Sequence, residues 1–355
     1  MNVLDRYITA AILKSVAVVV LVLLAVVTFV EFVGQVDDVG TAQYEMQHAL
    51  AYVALRIPRM IFQMLPAAAL LGALLSLGNL AVHSELVVMR ASGVSRIRMM
   101  GSVGIAGLVL LLVMALLGES LAPSLGAYAR QVRSQALLDS VDIANAQSAW
   151  MKDGDRIFNF RRADDGINFG GVYLFELDAE GSLDRVASAD SAEIDPQQRW
   201  ILANYVATDF SADDISSTAE RRSIQNYELS LELLGLSEVR EDLLDTQGLK
   251  RYIEYLDQND LDSDRYVTAY WARISDSVSV LLMTLLALPF VSGALRTSGT
   301  GGRLVVGLVI GLGYYIVAQT FVNSGEVFDL DPLVVAWLPS AILLVITSVA
   351  LLRIR

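Results

Sequence analysis

Residues 61–82 read IFQMLPAAALLGALLSLGNLAV, 22 positions without a charge, and residues 84–93 follow at once as SELVVMRASG. As a helix rising 1.5 Å per residue, the first stretch is long enough to cross the hydrocarbon of a bilayer. The second is short, charged and amphipathic, and another apolar run, Met99–Gly118, begins soon after it. Together they read as a membrane hairpin whose connecting loop faces water. Outward from this hairpin, charge-free runs recur at Val16–Val30, Ser277–Leu295, Leu304–Gly325 and Pro332–Leu352. Five of the six runs have the length of a span unaided, and the first reaches it with Ile12, Leu13, Phe32 and Val33. No small-x-small cleavage site follows that first run, so it reads as a retained anchor rather than a signal peptide.

Composition agrees with a membrane protein. Of 355 residues, 54% are hydrophobic and only 18% charged, outside the range of ordinary soluble domains. The net charge of −13 is concentrated in the middle, where residues 123–265 hold 28 acidic against 14 basic side chains. An acidic domain of this kind argues against nucleic acid as a partner, because phosphate binding needs a basic surface. There is no cysteine, which excludes a disulfide framework and a thiol nucleophile.

The short loops set an orientation. Arg6 and Lys14, Arg90, Arg96 and Arg98, Arg296 and Arg303, and Arg353 and Arg355 all fall on one side of a six-span plan. The positive-inside bias puts both termini and the Glu85 loop in the cytoplasm and the acidic middle outside. The predicted plan is three spans over residues 1–122, a domain over 123–265, and three spans over 266–355. Pro58 interrupts the apolar run from Ala49, so an interfacial helix is predicted at about 45–57 and the second span from Pro58 onward. Arg273 and Asp276 stand three apart on one helical face, as an interfacial pair or a buried functional one.

Strands are predicted at Asp155–Phe160, Gly171–Asp178, Leu183–Asp195, Arg199–Phe210 and Arg222–Leu233, where β-branched and aromatic residues alternate between turns such as Asp165-Gly166 and Glu180-Gly181. They suggest an antiparallel sandwich, jelly roll or open barrel, flanked by helical connectors at 122–140 and 241–258. Tyr173, Phe175 and Leu177 form one candidate face, against Val172, Leu174 and Glu176 on the other.

Motifs for chemistry are lacking. The two histidines, His48 and His83, have no H-E-x-x-H spacing, and G-x-S-x-G does not occur. Lys14, Lys152 and Lys250 follow Leu13, Met151 and Leu249, so no Gly-Lys-Ser/Thr ends a Walker A loop. Residues 298–302, Ser-Gly-Thr-Gly-Gly, read as a flexible turn. The chain is therefore expected to be no enzyme and to bind no cofactor or metal of its own. A helix is predicted over about 83–98, capped by Ser84, with Leu86, Val87, Met89 and Val94 on its apolar face and Glu85 and Arg90 off it. Held between two spans, it can transmit a push from a soluble motor, or it can be an ordinary connecting loop.

Five phrases, in order along almost the whole chain, carry a resemblance. They are Val3-Leu4-Asp5-Arg6-Tyr7-Ile8, residues 65–75, residues 84–93, residues 149–154 (AWMKDG) and Leu295-Arg296. The chain resembles the lipopolysaccharide-export permeases of the LptF/LptG family. The resemblance implies an α+β membrane protein with six transmembrane helices, three on either side of an inserted periplasmic antiparallel β-jellyroll-like domain. It also implies an LptF-like partner in a heterodimer, two copies of an LptB-like ATPase carrying ATP and Mg, and LptC-like and LptA-like periplasmic acceptors of lipopolysaccharide. In that scheme Ser84, Glu85, Leu86, Met89 and Arg90 belong to a helix that docks on the ATPase.

A phosphate-bearing, many-chained lipid needs basic groups at headgroup height and an apolar wall. Arg56, Arg59, Arg130 and Arg133 are the phosphate candidates, and Leu23, Val27, Val30, Met64, Leu65, Tyr314, Tyr315 and Val317 the candidate wall. The resemblance implies positive charge at the outer end of the first span, where the sequence has Glu31, Asp37 and Asp38 instead. A divalent cation bridging these acids to phosphate, or residues of the LptF-like partner, would take over that role. Two other readings are kept: an ATPase-coupled mechanotransmission subunit, and a membrane-anchored scaffold, neither of which carries lipid.

Overall fold

The computed structural model describes residues 3–41, 43–138, 148–162, 168–178, 181–195, 199–211, 214–225, 240–292, 299–328 and 330–353. The chain divides into two units. The first comprises Met1–Leu137, Glu241–Lys250 and Ser263–Arg355, and the second Leu138–Arg240 and Arg251–Asp262.

The first unit is helical. Its elements are α1 (Val3–Val36), α2 (Met46–Val82), the short α3 (Glu85–Ala91), α4 (Arg96–Leu116), a π-helical turn (Leu117–Leu121) and α5 (Ala122–Leu138). After the inserted strands come α6 (Thr246–Gln258), α7 (Asp264–Ser292), α8 (Thr300–Phe328) and α9 (Pro332–Leu352). Among the described residues, six helices are long and apolar enough to cross a membrane. Within their apolar windows, 67% of α2 and 61% of α7 is buried inside the protein, against 11% of α1 and of α8. The bundle is thus built around α2 and α7, and α1 and α8 turn most of their apolar surface outward. Leu70, Leu74 and Leu77 of α2 meet Ile8, Ile12 and Val16 of α1, Val103 and Ala106 of α4, and Met283 and Leu286 of α7 in one core.

The predicted break at Pro58 is absent, and α2 runs through both Pro58 and Pro66 as a single 37-residue helix. Proline inside a membrane helix is tolerated where neighbours satisfy the freed backbone. The arginines that suggested an interface are instead tied into the bundle, Arg56 to Glu31 and Arg59 to Asp242. At about 1.5 Å per residue, α2 overshoots a hydrocarbon core of about 30 Å, so one end extends beyond it. His48 Nδ1 accepts from Glu45 N at 3.1 Å at the start of α2, and His83 Nδ1 lies 2.9 Å from Asn79 O at its end. Both histidines therefore serve helix ends. Arg303 is no loop cation either: it is 2% exposed, with its guanidinium in the space left by Gly78.

The second unit carries a six-stranded antiparallel sheet in sequential order. The strands are β1 (Ser148–Asp153), β2 (Arg156–Arg162), β3 (Asn168–Leu177), β4 (Leu183–Ile194), β5 (Trp200–Ser211) and β6 (Asp214–Gln225). Two differences from the prediction stand out. The strand β1 was not among those expected, and the last strand lies at 214–225 rather than 222–233. Polar β6, DISSTAERRSIQ, has no apolar run to announce it. Residues 226–233 of the predicted last strand lie outside the described residues, as do Asp165-Gly166, Glu180 and Leu295-Arg296.

The register decides which face is inside. Met151, Phe158, Leu174, Ala187 and Ala207 lie in one row across β1 to β5, and Phe160, Val172 and Ala189 in the next. All are buried, and Phe160 stacks on Phe158 and on Trp200 with centroids 5.6 and 5.3 Å apart. Tyr173, Phe175 and Leu177 therefore lie on the opposite face, with Tyr173 38% exposed, so the inward positions of β3 are Val172 and Leu174. In β5 the alternation skips one residue at Asn204, whose φ of +50° leaves Trp200 and Leu202 before it and Tyr205 and Ala207 after it all buried. Asn tolerates this left-handed conformation, and Asn204 Nδ2 is held by Asp190 at 2.9 Å. At the edge of the buried face, Arg156, Glu176, Arg185 and Asp209 alternate in charge across four paired strands.

The β1–β2 turn, part of the AWMKDG phrase, is fastened by residues 251–262. Gly154 N donates to Asn259 Oδ1, Lys152 Nζ to Asn259 O, both at 2.8 Å, and Tyr255 Oη to Lys152 O at 2.9 Å. Burial raises the Tyr255 hydroxyl above the ordinary tyrosine value, so it stays a donor.

Candidate functional site

At one end of the helical unit, α3 stands between α2 and α4. The expected single helix over 83–98 is divided. Gly93 at φ +88° ends α3, and Ser95 Oγ caps α4 by accepting from Arg98 N at 3.3 Å. Ser84 does not cap α3; it adopts φ +62° with no side-chain bond to the helix. Leu86 is buried and Met89 packs against the bundle core, which anchors α3 from below. Val87 does not share that face and is exposed together with Val88, Arg90 and, in α4, Ile97. Glu85 sits in the first turn of α3, where a carboxylate complements the helix dipole, and Arg90 in the last. Tyr7 Oη of α1 donates to Glu85 Oε2 at 2.9 Å, across 78 residues of chain. Close by, Ser102 Oγ donates to Asp5 Oδ1 at 2.8 Å and Thr9 Oγ1 to Ser102 O at 3.1 Å. These bonds give the Val3–Ile8 phrase a physical reason: its polar residues tie the start of α1 to α3 and α4.

At the opposite end of α1 and α2, all four candidate phosphate-binding arginines are paired with carboxylates. Arg56 pairs with Glu31 and reaches Tyr52 Oη at 3.2 Å, while Arg133 pairs with Asp38 at 2.5 Å. Both guanidinium groups lie over the Tyr52 ring, 5.4 and 5.5 Å from its centroid. Arg59 and Arg130 share Asp242, the latter at 3.3 Å. Glu31 and Asp38, which sat where positive charge was expected, are thus counter-ions of Arg56 and Arg133. Among the described residues no group of three or more His, Cys, Asp or Glu is placed to hold a metal ion. An incoming phosphate has to displace a carboxylate in the first cluster. Around Asp242 it meets two arginines that share one carboxylate.

The family described as lipopolysaccharide export system permease LptF/LptG matches residues 6–353. This chain belongs to the LptF/LptG permease family. It is similar to the lipopolysaccharide export system permease protein LptG of Escherichia coli strain K12, with 32% identity covering 99% of this chain and 98% of the relative. With LptG of Haemophilus influenzae the identity is 31%, covering 97% and 96%. The permease LptF of Escherichia coli strain K12 is more distant at 23% identity, covering 97% of this chain and 93% of that protein. The six apolar helices place this permease in the inner membrane as a multi-pass protein.

The candidate lipid wall of the permease divides by exposure. Val27, Val30, Tyr315 and Val317 face outward from α1 and α8, while Leu23 and Met64 are partly buried. Leu65 is a core residue, 3% exposed, and Tyr314 turns inward, its hydroxyl 3.0 Å from Ser340 Oγ. Neither presents itself to a lipid outside the bundle. Arg273 and Asp276 do not pair: Arg273 Nη2 donates to Leu244 O at 2.9 Å instead. Tyr7, Tyr52 and Asp242 were missed as partners of the candidate residues. Only Tyr7 lay in a phrase that drew notice.

The Tyr7 bond yields a first prediction. The bond is exposed, so water competes for both partners and its loss is a modest effect. Tyr7→Phe removes it without removing the ring. It is expected to lower lipid released per ATP hydrolysed modestly, far less than loss of the Glu85 carboxylate, measured in the reconstituted complex, while insertion and assembly stay unchanged.

Proposed function

We propose that this chain is a permease subunit of an ATP-driven exporter that takes lipopolysaccharide from the outer leaflet of the inner membrane and passes it through its β-domain to a periplasmic bridge. The full-length match to lipopolysaccharide export permeases carries this reading. The basic short loops support an orientation with both termini and α3 in the cytoplasm and the β-domain in the periplasm. In that orientation Glu85, Val87, Val88 and Arg90 meet an LptB-like ATPase, two copies of which hold the ATP and Mg. The outward apolar faces of α1 and α8 support pairing with an LptF-like permease and contact with lipid. Val27, Val30, Tyr315 and Val317 then line the acyl path, and Arg59 and Arg130, which share Asp242, take the phosphates. Arg56 and Arg133 join them by releasing Glu31 and Asp38. LptC-like and LptA-like proteins receive the lipid.

Photo-crosslinkers at Val172 and Leu174, on the buried sheet face, and at Tyr173, on the other, test the route in the reconstituted complex. The expected result is an ATP-dependent lipopolysaccharide adduct from Val172 and Leu174, and little from Tyr173. No adduct from either face, with the complex intact and hydrolysing ATP, overturns the lipid-carrying role in favour of a subunit that transmits motion or scaffolds assembly.

A further inference from the structure

Between α2, α4, α7 and α8 the helical unit holds a partly open cavity of about 190 Å³, and the export reading uses Arg59 and Tyr315 of its lining but neither Arg273 nor Asp276. Asp276 of α7 lines it. Among the described residues its carboxylate forms no ion pair, although Arg273 stands one turn away on the same helix. The neighbouring hydroxyls turn elsewhere: Ser275 Oγ donates to Ser340 Oγ at 2.8 Å, Ser277 Oγ to Arg273 O at 3.0 Å and Ser279 Oγ to the Asp276 backbone carbonyl at 2.7 Å. Arg59 and Arg273 line the same cavity, and each keeps a nitrogen without a hydrogen-bond partner, Nε of Arg59 and Nη1 of Arg273. Phe62, Met114 and Val322 supply apolar wall.

Two guanidinium nitrogens without a partner and a carboxylate outside any ion pair are costly within a membrane bundle, so the filled cavity must answer both signs of charge. Asp242 lines the cavity too and pairs with Arg59, which leaves Arg273 and Asp276 as the lining charges outside an ion pair among the described residues. A simple anion satisfies Arg273 and is repelled by Asp276. A simple cation does the reverse. A zwitterion carrying a phosphate and a primary ammonium answers both, and its phosphate can also accept from Arg59 Nε. Residues three apart on a helix hold their Cβ atoms about 5–6 Å from each other, the scale on which an ethanolamine linker separates its two charges.

We propose that this cavity is a headgroup site for a phosphoethanolamine-bearing lipid, with the ammonium on Asp276 and the phosphate on Arg59 and Arg273. The site rests on the reading of the chain as a lipid permease. The ligand chemistry has two sources: a membrane phospholipid, or lipopolysaccharide whose phosphates carry ethanolamine.

The test uses the full permease complex in nanodiscs. Photoactivatable phosphatidylethanolamine, phosphatidylcholine and phosphatidylglycerol of matched acyl chains are compared, with adducts mapped by mass spectrometry to Phe62, Met114 and Val322. Phosphatidylethanolamine is expected to label these positions about tenfold more than either of the others, and Asp276→Asn to erase the difference. A parallel arm offers lipopolysaccharide with and without phosphoethanolamine. Preferential labelling by phosphatidylethanolamine assigns a phospholipid site, and preference confined to decorated lipopolysaccharide assigns a cargo site. Equal labelling by each lipid and its ethanolamine-free counterpart in the wild type overturns the proposal, whether or not the variant folds. Export by the same complex is measured separately, so a failed headgroup site with normal export leaves the permease reading standing.

Discussion

Glu85→Ala is expected to abolish ATP-driven export while the chain remains inserted and assembled with its partners. The carboxylate lies in the first turn of a seven-residue helix whose underside is fixed by Leu86 and Met89, and it accepts one exposed bond from Tyr7, so the helix keeps its place without it. Removing it does not undo the fold. In the proposed complex it meets a basic group of the ATPase, and truncating one partner of a desolvated charge pair costs about 2–5 kcal/mol, or about thirtyfold and upward in coupled turnover. Glu85→Gln separates charge from geometry. The amide still accepts from Tyr7 but cannot pair with a cation, so it is expected to fail nearly as badly as alanine. Glu85→Arg is expected to recover only with a compensating charge change in the ATPase. Lipid release per ATP in proteoliposomes is the measurement; normal release by Glu85→Ala would remove the coupling role.

Gly72→Ala is expected to be nearly as damaging, for a different reason. A Cβ built at Gly72 lies 2.5 Å from Val16 Cα and Cγ2 and 2.6 Å from its nitrogen, so the methyl group meets backbone of α1 rather than a side chain that can turn away. Small residues at such crossings are what lets two membrane helices approach closely. Overpacking a well-filled core costs about 1–3 kcal/mol even where side chains can yield. Here α1 has to move off α2. Since α1 also carries Tyr7 and Asp5, the displacement breaks their ties to Glu85 and Ser102. Thermal stability in detergent and yield of the assembled complex should both fall. Gly101→Ala is the control, because no atom lies within 4 Å of its added Cβ.

The contrast between Gly72 and Glu85 shows what could be read from the chain. Spans announce themselves by charge-free length, and the six runs became six helices. Strands with alternating aromatic and β-branched residues were placed to within a few residues. Polar β6 and the AWMKDG strand gave no such signal, and the face of β3 depended on register with Phe158, Phe160 and Ala187. Helix ends were harder. The division of the predicted 83–98 helix is set by one left-handed glycine and one serine cap. The sequence breaks α2 at Pro58, yet the helix runs through it, and the arginines on either side find their acids in the bundle rather than at an interface.

The candidate site was legible only in part. Glu85 and the four arginines were named, but the groups holding them were not. Tyr7 is 78 positions from Glu85, and Arg59 is 183 from Asp242. No local pattern joins residues so far apart, and nothing in the sequence shows that Glu31 and Asp38 neutralise Arg56 and Arg133. Arg303 went astray in the same way, counted as a loop cation and found in the notch of Gly78.

The central claim is that this chain moves lipopolysaccharide by work done on α3 from another subunit. It is tested most directly by purifying the chain with its co-purifying partners, reconstituting it with lipopolysaccharide, and following transfer to a soluble periplasmic acceptor with and without ATP. The account predicts an LptF-like chain and an ATPase in the preparation, transfer that requires ATP hydrolysis, and no transfer with Glu85→Ala. An intact complex that hydrolyses ATP while all lipopolysaccharide stays in the membrane would contradict it.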